Sequence, residues 1–232
     1  MKVDAKLLSG HLGVVSLNGR LSEVTFGPNF EVQAVDGSSE IVVKGKSSKV
    51  LFPSPFSVLD MADFVKLINA FNGEVNLDVE DGKVVVGSNI GVVRYQAADP
   101  STIVSTIKNF DDVDANYMEN TIVSAKVENS FPSNCAKFGR LISPDVAEFS
   151  MKDGKLSVSL VSMKGHKADL FVGAIESCSD EKFVFRVLFP VLKDVMSGFI
   201  TTQSHNIGLK IGKALRMQLD DDYTFLLSPQ AE

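Results

Sequence analysis

Val75-Asn76-Leu77-Asp78-Val79-Glu80-Asp81-Gly82-Lys83-Val84-Val85-Val86 reads as a β-hairpin folded at Asp-Gly. Val75, Leu77 and Val79 alternate with polar residues, and Asp81-Gly82 supplies the positive φ that a tight two-residue turn requires. The same pattern returns around Asp153-Gly154-Lys155, preceded by Ala147, Phe149 and Met151 and followed by Leu156, Val158 and Leu160. A helical segment precedes each hairpin. In the first copy Phe64, Leu67, Ile68 and Phe71 fall at i, i+3, i+4 and i+7, with Asp60 placed as N-cap. In the second, Phe138, Leu141 and Ile142 end the equivalent segment, and Pro144 stops it. Helix then hairpin, twice in one chain, predicts an internal structural repeat.

Two further helices bracket these units. Leu8, Leu12 and Val15 keep a helical spacing from Asp4, although Gly10 and Gly13 weaken it. Pro190 suits a first helical position, Leu192, Val195, Met196 and Phe199 form an apolar stripe, and Gly198 lies near its end. The rest is strand-like: Phe183 to Phe189, Ile207/Leu209/Ile211, and Thr224 to Leu227. The expected class is α+β, with four short helices among antiparallel strands and the order helix, strands, helix, strands in each half. The stretch from Pro100 to Asn120 is rich in Ser, Thr, Asp and Asn. A connector over 105–120 therefore divides the chain into domains 1–104 and 121–232.

The 232 residues carry 23 Lys+Arg against 29 Asp+Glu, a net charge of −6, and are 44% hydrophobic. That balance excludes wholesale disorder and argues against a simple basic nucleic-acid binder. No apolar run reaches the ~20 residues of a spanning helix, and no basic-then-apolar leader opens the chain. Cys135 and Cys178 are too few for a disulfide framework, so the expected setting is cytoplasmic, without a membrane.

Catalytic patterns are missing. His11, His166 and His205 have no paired metal-ligand spacing and read as surface residues. There is no GxxxxGK[ST], no strand-linked GxGxxG and no GxSxG. Asp220-Asp221-Asp222 sits between two alternating segments and reads as a solvated hairpin tip rather than a cation site. The expectation is a non-enzyme with no cofactor and no metal.

The octet Ala97-Ala98-Asp99-Pro100-Ser101-Thr102-Ile103-Val104 resembles the end of the first domain in the sliding clamps of tailed bacteriophages related to the T-even phages. Val58-Leu59-Asp60 through Leu67-Ile68, Glu80-Asp81-Gly82, Lys152 to Lys155 and Phe183-Val184-Phe185 follow that family's pattern at similar spacing. Departures lie in the last forty or so residues: Ser197–Lys213 is longer and more polar, and the tail Ser228-Pro229-Gln230-Ala231-Glu232 differs.

The resemblance implies two tandem processivity-fold domains and a ring of three subunits. Antiparallel sheets would lie outside, and four helices would line a channel for duplex DNA. It further implies that the ring tethers a replicative DNA polymerase and is opened by an ATP-driven clamp loader. A sliding ring should meet phosphates without reading bases, and helix cations do so. The candidates are Lys6, Lys66, Lys126, Lys137, Arg140 and Lys193; in the segment 125–142, Lys126, Lys137 and Arg140 face one acid, Glu128. A hydrophobic partner tail is expected to dock near the connector and last strand, at Val104, Ile107, Phe110, Leu226, Leu227 and Pro229. The alternative is a virion or scaffold protein of tandem α+β domains with no DNA-tethering role. In the ring reading, acids at 111, 112, 114 and 220–222 are expected in outer loops and turns, segregating charge away from the helices.

Overall fold

A computed structural model describes residues 1–47, 49–202 and 206–230. The first half runs β1 (Lys2–Asp4), α1 (Ala5–Ser16), β2 (Val24–Phe26), β3 (Val32–Val35), β4 (Ile41–Gly45), β5 (Phe56–Val58), α2 (Met61–Asn69), β6 (Glu74–Glu80), β7 (Lys83–Ser88) and β8 (Gly91–Gln96). A helix α3 (Phe110–Met118) follows. The second half runs β9 (Val123–Val127), α4 (Phe131–Ile142), β10 (Val146–Lys152), β11 (Lys155–Val161), β12 (Lys167–Cys178), β13 (Val184–Leu188), α5 (Phe189–Thr202), β14 (Ile207–Ile211), β15 (Leu215–Leu219) and β16 (Tyr223–Leu227).

Strand, helix, four strands, helix, three strands: the two halves share one order. The repeat extends to the turns. Asp81 and Gly82 sit at φ 49 and 71, Asp153 and Gly154 at φ 52 and 71, and each pair closes a two-residue hairpin, β6–β7 and β10–β11. The cap expected at Asp60 forms, and Asp4 caps α1 in the same way. Asp4 accepts the N–H of Lys6 and of Leu7 at 3.0 Å, and Asp60 accepts that of Asp63 at 2.9 Å.

Among the described residues five α-helices form rather than four, because α3 falls inside the 105–120 stretch and carries Asp111, Asp112 and Asp114 out of the expected loop. Leu141 corrects a second expectation. The buried face of α4 is Phe131, Cys135 and Gly139, which leaves Leu141 70% exposed.

β1-β6-β7-β8 form one sheet, β2-β5 a second, and a ten-stranded sheet has the order β13-β10-β11-β12-β9-β14-β15-β16-β4-β3. That long sheet joins the halves, since β16 of the second pairs antiparallel with β4 of the first, Leu226 opposite Val42. The helices form a layer over one face of the sheets in the order α2–α1–α5–α4. The core lies between, with Leu8, Leu12, Phe64, Leu192 and Val195 among its fully buried side chains. At about 1.5–3 kcal/mol per buried large side chain, this layer is the main stabilising term.

Arg20 adds a polar clasp between the halves, donating to Asp36 at 3.2 Å, Glu40 at 2.8 Å and Asp194 of α5 at 3.1 Å. Burial alone would push Asp36 up. The Ser38 hydroxyl, the Ile41 and Glu40 N–H groups and Arg20 more than offset this and hold it below the ordinary carboxylate range.

His11 departs from its expected surface role. It is 6% exposed, its Nδ1 hydrogen-bonds the Tyr223 hydroxyl, and its Nε2 lies 3.4 Å from Ser47 Oγ. Its partners are remote in sequence, so helical spacing alone does not reveal the seam. Burial lowers its pKa from 6.5; Asp222 opposes the shift and Lys49 adds to it. The folded state therefore binds fewer protons here than the unfolded one, so stability is lost as pH falls below about 6.5 toward the folded value. The thermal midpoint should drop between about pH 7 and pH 5, with a shallower drop in His11→Gln. Equal slopes would remove His11 from the account.

His166 lies exposed in the β11–β12 turn as expected, and His205 lies outside the described residues. Asp220 to Asp222 sit at the tip of the β15–β16 hairpin, as the flanking alternation predicts.

Candidate nucleic-acid interface

The helix layer has one face on the sheets and one toward solvent. Lys6 of α1, Lys137 and Arg140 of α4 and Lys193 of α5 are exposed on the second face, and none makes an ion pair among the described residues. On α4, Ser133, Lys137, Arg140 and Leu141 share that face by helical spacing. Lys66 of α2 is exposed as well, but Asp63 one turn earlier accepts from it at 2.9 Å and offsets its charge.

Lys126 belongs elsewhere. It lies on β9, paired with Ala174 and Gly208, in a strand whose Val123, Ala125 and Val127 face the core. Alternation turns Lys126 to the sheet face away from the helices, so it does not share the surface of Lys137 and Arg140. The expected helix over 125–142 starts only at Phe131. Residues 123–127 alternate with period two, a signal that a search for cations on helices passes over.

The expected docking residues also separate. Val104 is 86% exposed beside the one-turn 3₁₀ segment Pro100–Thr102, which the Asp99 carboxylate caps. Ile107 is half-buried against β3, its N–H donating to Gln33 O at 3.2 Å. Phe110 and Leu226 are buried on the outer side of the long sheet, and Pro229 is exposed beyond β16. Leu227 is excluded from any such pocket, because it points with Tyr223 and Phe225 into the main core.

Cys135 is buried on α4, and burial pushes its thiol up to about 12, so it is no ready nucleophile. Among the described residues no group of three or more His, Cys, Asp or Glu could hold a metal ion, and no helix is long and apolar enough to cross a membrane.

This architecture is similar over the whole chain to the PCNA2–PCNA3 complex of Sulfolobus tokodaii, with TM-score 0.73, 15% identity and 100% of both chains covered. It is equally similar to PCNA from Thermococcus kodakaraensis, with TM-score 0.73, 15% identity and 99% of each chain covered. A. fulgidus PCNA, solved with the C-terminal region of FEN-1, gives TM-score 0.73 and 14% identity over 100% of this chain and 98% of the other. The fold is that of the sliding clamps. No protein-family model and no curated protein sequence matches the chain. Within that fold, the helix-then-hairpin repeat and the antiparallel strands each have a counterpart in the sequence reading.

Proposed function

We propose that this chain is one subunit of a ring-shaped sliding clamp that encircles duplex DNA and tethers a replicative DNA polymerase. The observation that carries this reading is the set Lys6, Lys137, Arg140 and Lys193, unpaired among the described residues on the solvent face of one helix layer in a chain of net charge −6. Flexible cations on a smooth helical surface hold phosphates without fixing register, which is what sliding requires. Topology, rather than tight binding, supplies retention.

The internal repeat supports a head-to-tail ring. Within the chain, the last strand of the second half, β16, pairs with β4 of the first. The corresponding pair from the other halves is β8 and β12. β8 pairs with β7 alone, and its Val92 is 55% exposed. Residues 167–171 of β12 pair with β11 alone, while β9 joins only from Gly173 onward. Each edge lacks a partner on one side among the described residues, and joining β8 of one copy to β12 of the next covers both. Three copies closing in this way is the homotrimer that the octet 97–104 suggests, with its kinship to the clamps of T-even phages. An ATP-driven loader would open the ring, and partner tails would dock on its outer face.

Light scattering across a dilution series tests the assembly. The expected mass at high concentration is three times 25.1 kDa. A monomer at every concentration overturns the ring. A virion or scaffold role for the same fold would leave DNA synthesis indifferent to the helix cations.

A further inference from the structure

Two asparagines of the chain precede a glycine, in Asn18-Gly19 and Asn72-Gly73. Glycine has no side chain to shield its own amide nitrogen and keeps its torsions wide. An Asn-Gly pair is therefore where a side-chain carboxamide and the next backbone nitrogen meet most easily. Both pairs are exposed, so no core packing holds these groups apart. Their surroundings differ.

Asn18 stands in the turn that leaves α1. Leu17, Asn18 and Gly19 take positive φ values of 49, 57 and 90 in succession. Leu17 and Leu21 are buried on either side, so the turn is pinned at its ends and open at its apex. That apex meets the clasp between the halves. Asn18 Nδ2 donates to Asp194 Oδ1 at 3.3 Å, and Arg20 Nε holds the other oxygen of the same carboxylate at 3.1 Å. Arg20 also faces Asp36 and Glu40, so one guanidinium already balances three carboxylates. The neutral amide of Asn18 lets the turn approach α5 without adding a fourth. Asn72 follows α2, and its side chain makes no hydrogen bond among the described residues.

We propose that Asn18 is a site of spontaneous deamidation whose product opens this clasp. The Gly19 nitrogen gives up its proton and bonds to Asn18 Cγ. The Cγ–Nδ2 bond breaks, and that nitrogen leaves as ammonia, carrying the proton. Water then opens the cyclic imide. Attack at one carbonyl gives aspartate at 18; attack at the other gives isoaspartate, whose main chain runs through an added carbon. Water enters, ammonia leaves, and nothing is oxidised. Either product puts a carboxylate where the donor to Asp194 stood. A hydrogen bond becomes a like-charge contact at a partly buried site, and Arg20 alone cannot offset it. Asp194 belongs to α5 and Asn18 to the turn after α1, so the repulsion acts across the joint of the two halves. Isoaspartate also lengthens a turn pinned at both ends. The joint therefore weakens as the molecule ages, whether or not the subunit is assembled.

Incubation of the full chain at mildly alkaline pH, followed by peptide mapping and calorimetry of the same samples, tests this. Aspartate and isoaspartate should accumulate at 18. The thermal midpoint of the converted protein should fall by about 3–6 °C, as it should without incubation in Asn18→Asp. Asn18→Gln keeps an amide but forms the imide far more slowly, so its midpoint should hold steady while Asn72 converts as in wild type. Adding Asp194→Asn to Asn18→Asp exchanges donor and acceptor across the same contact and should recover most of the loss. A purely local effect on the turn would not be rescued in this way. No conversion at Asn18 overturns the site. An unchanged midpoint in converted protein or in Asn18→Asp, an equal fall in aged Asn18→Gln, or no recovery in the double variant overturns the effect on the clasp.

Discussion

Reversing Lys137, Arg140 and Lys193 to Glu together should reduce association with duplex DNA about a hundredfold or more at low salt, with fold and oligomeric mass unchanged. All three side chains are exposed and make no ion pair among the described residues, so their replacement disturbs little within the subunit. Their proposed role is toward phosphate. Removing each cation from the phosphate surface should flatten the salt dependence of association by about one in logarithmic slope. Lys126→Glu is the internal control. Lys126 lies on β9 with its side chain on the opposite side of the sheet, so its reversal should leave DNA association as it was. If Lys126→Glu impaired DNA association as strongly as the triple reversal, the helix layer would not be the DNA-facing surface.

The second large effect is on stability. Gly173→Ala should cost about 3 kcal/mol, lowering the thermal midpoint by roughly 6–12 °C. A Cβ at Gly173 would lie 2.0 Å from the carbonyl oxygen of Lys126 and 2.8 Å from the Val127 Cα. Both are backbone atoms of β9, which is held on its far side by β14, so the strand cannot step back. Gly173 is also where β12 passes from pairing with β11 to pairing with β9. Gly10 and Gly13 on α1 give the opposite expectation. A Cβ at either meets nothing within 4 Å, and alanine there should stabilise the helix by about 0.5–1 kcal/mol. Differential scanning calorimetry on the three variants reads both signs, and an unchanged midpoint for Gly173→Ala would contradict the packing described.

Local signals in the chain are readable wherever the physics is local. The Asp-Gly turns, the cap at Asp60 and the stripes of α1, α2 and α5 depend on neighbours within a few residues, and they reveal the repeat. What depends on remote residues is not readable. α3 looks like a polar connector because its acids find their cations on strands 67 to 102 residues away. His11 looks like a surface residue because Tyr223 is 212 residues distant. The β4–β16 joint, which unites the halves, involves two strands that each read as ordinary alternation. In the candidate interface, Lys6, Lys137, Arg140 and Lys193 emerge from the simple requirement of a cation on a helix. Lys126 meets that requirement only in appearance, because a cation on a strand and one on a helix look alike until the period around them is counted. The acids of α3 lie on the sheet face away from the helices, whereas Asp220 and Asp222 of the β15–β16 tip line a cavity with Lys6 and His11 of α1, so the tip acids are not segregated from the helix layer as expected.

Retention on DNA of defined topology tests encirclement most directly. The chain is first diluted until its assemblies dissociate, then concentrated in the presence of either a circular plasmid or the same plasmid linearised, and passed through a sizing column in salt high enough to suppress phosphate contacts. A ring threaded by DNA should elute with the circle and be absent from the linear form, and cutting the circle should release it. Equal retention on the two forms, or none on either while the protein is trimeric, would contradict a clamp that holds DNA by passing it through a closed ring.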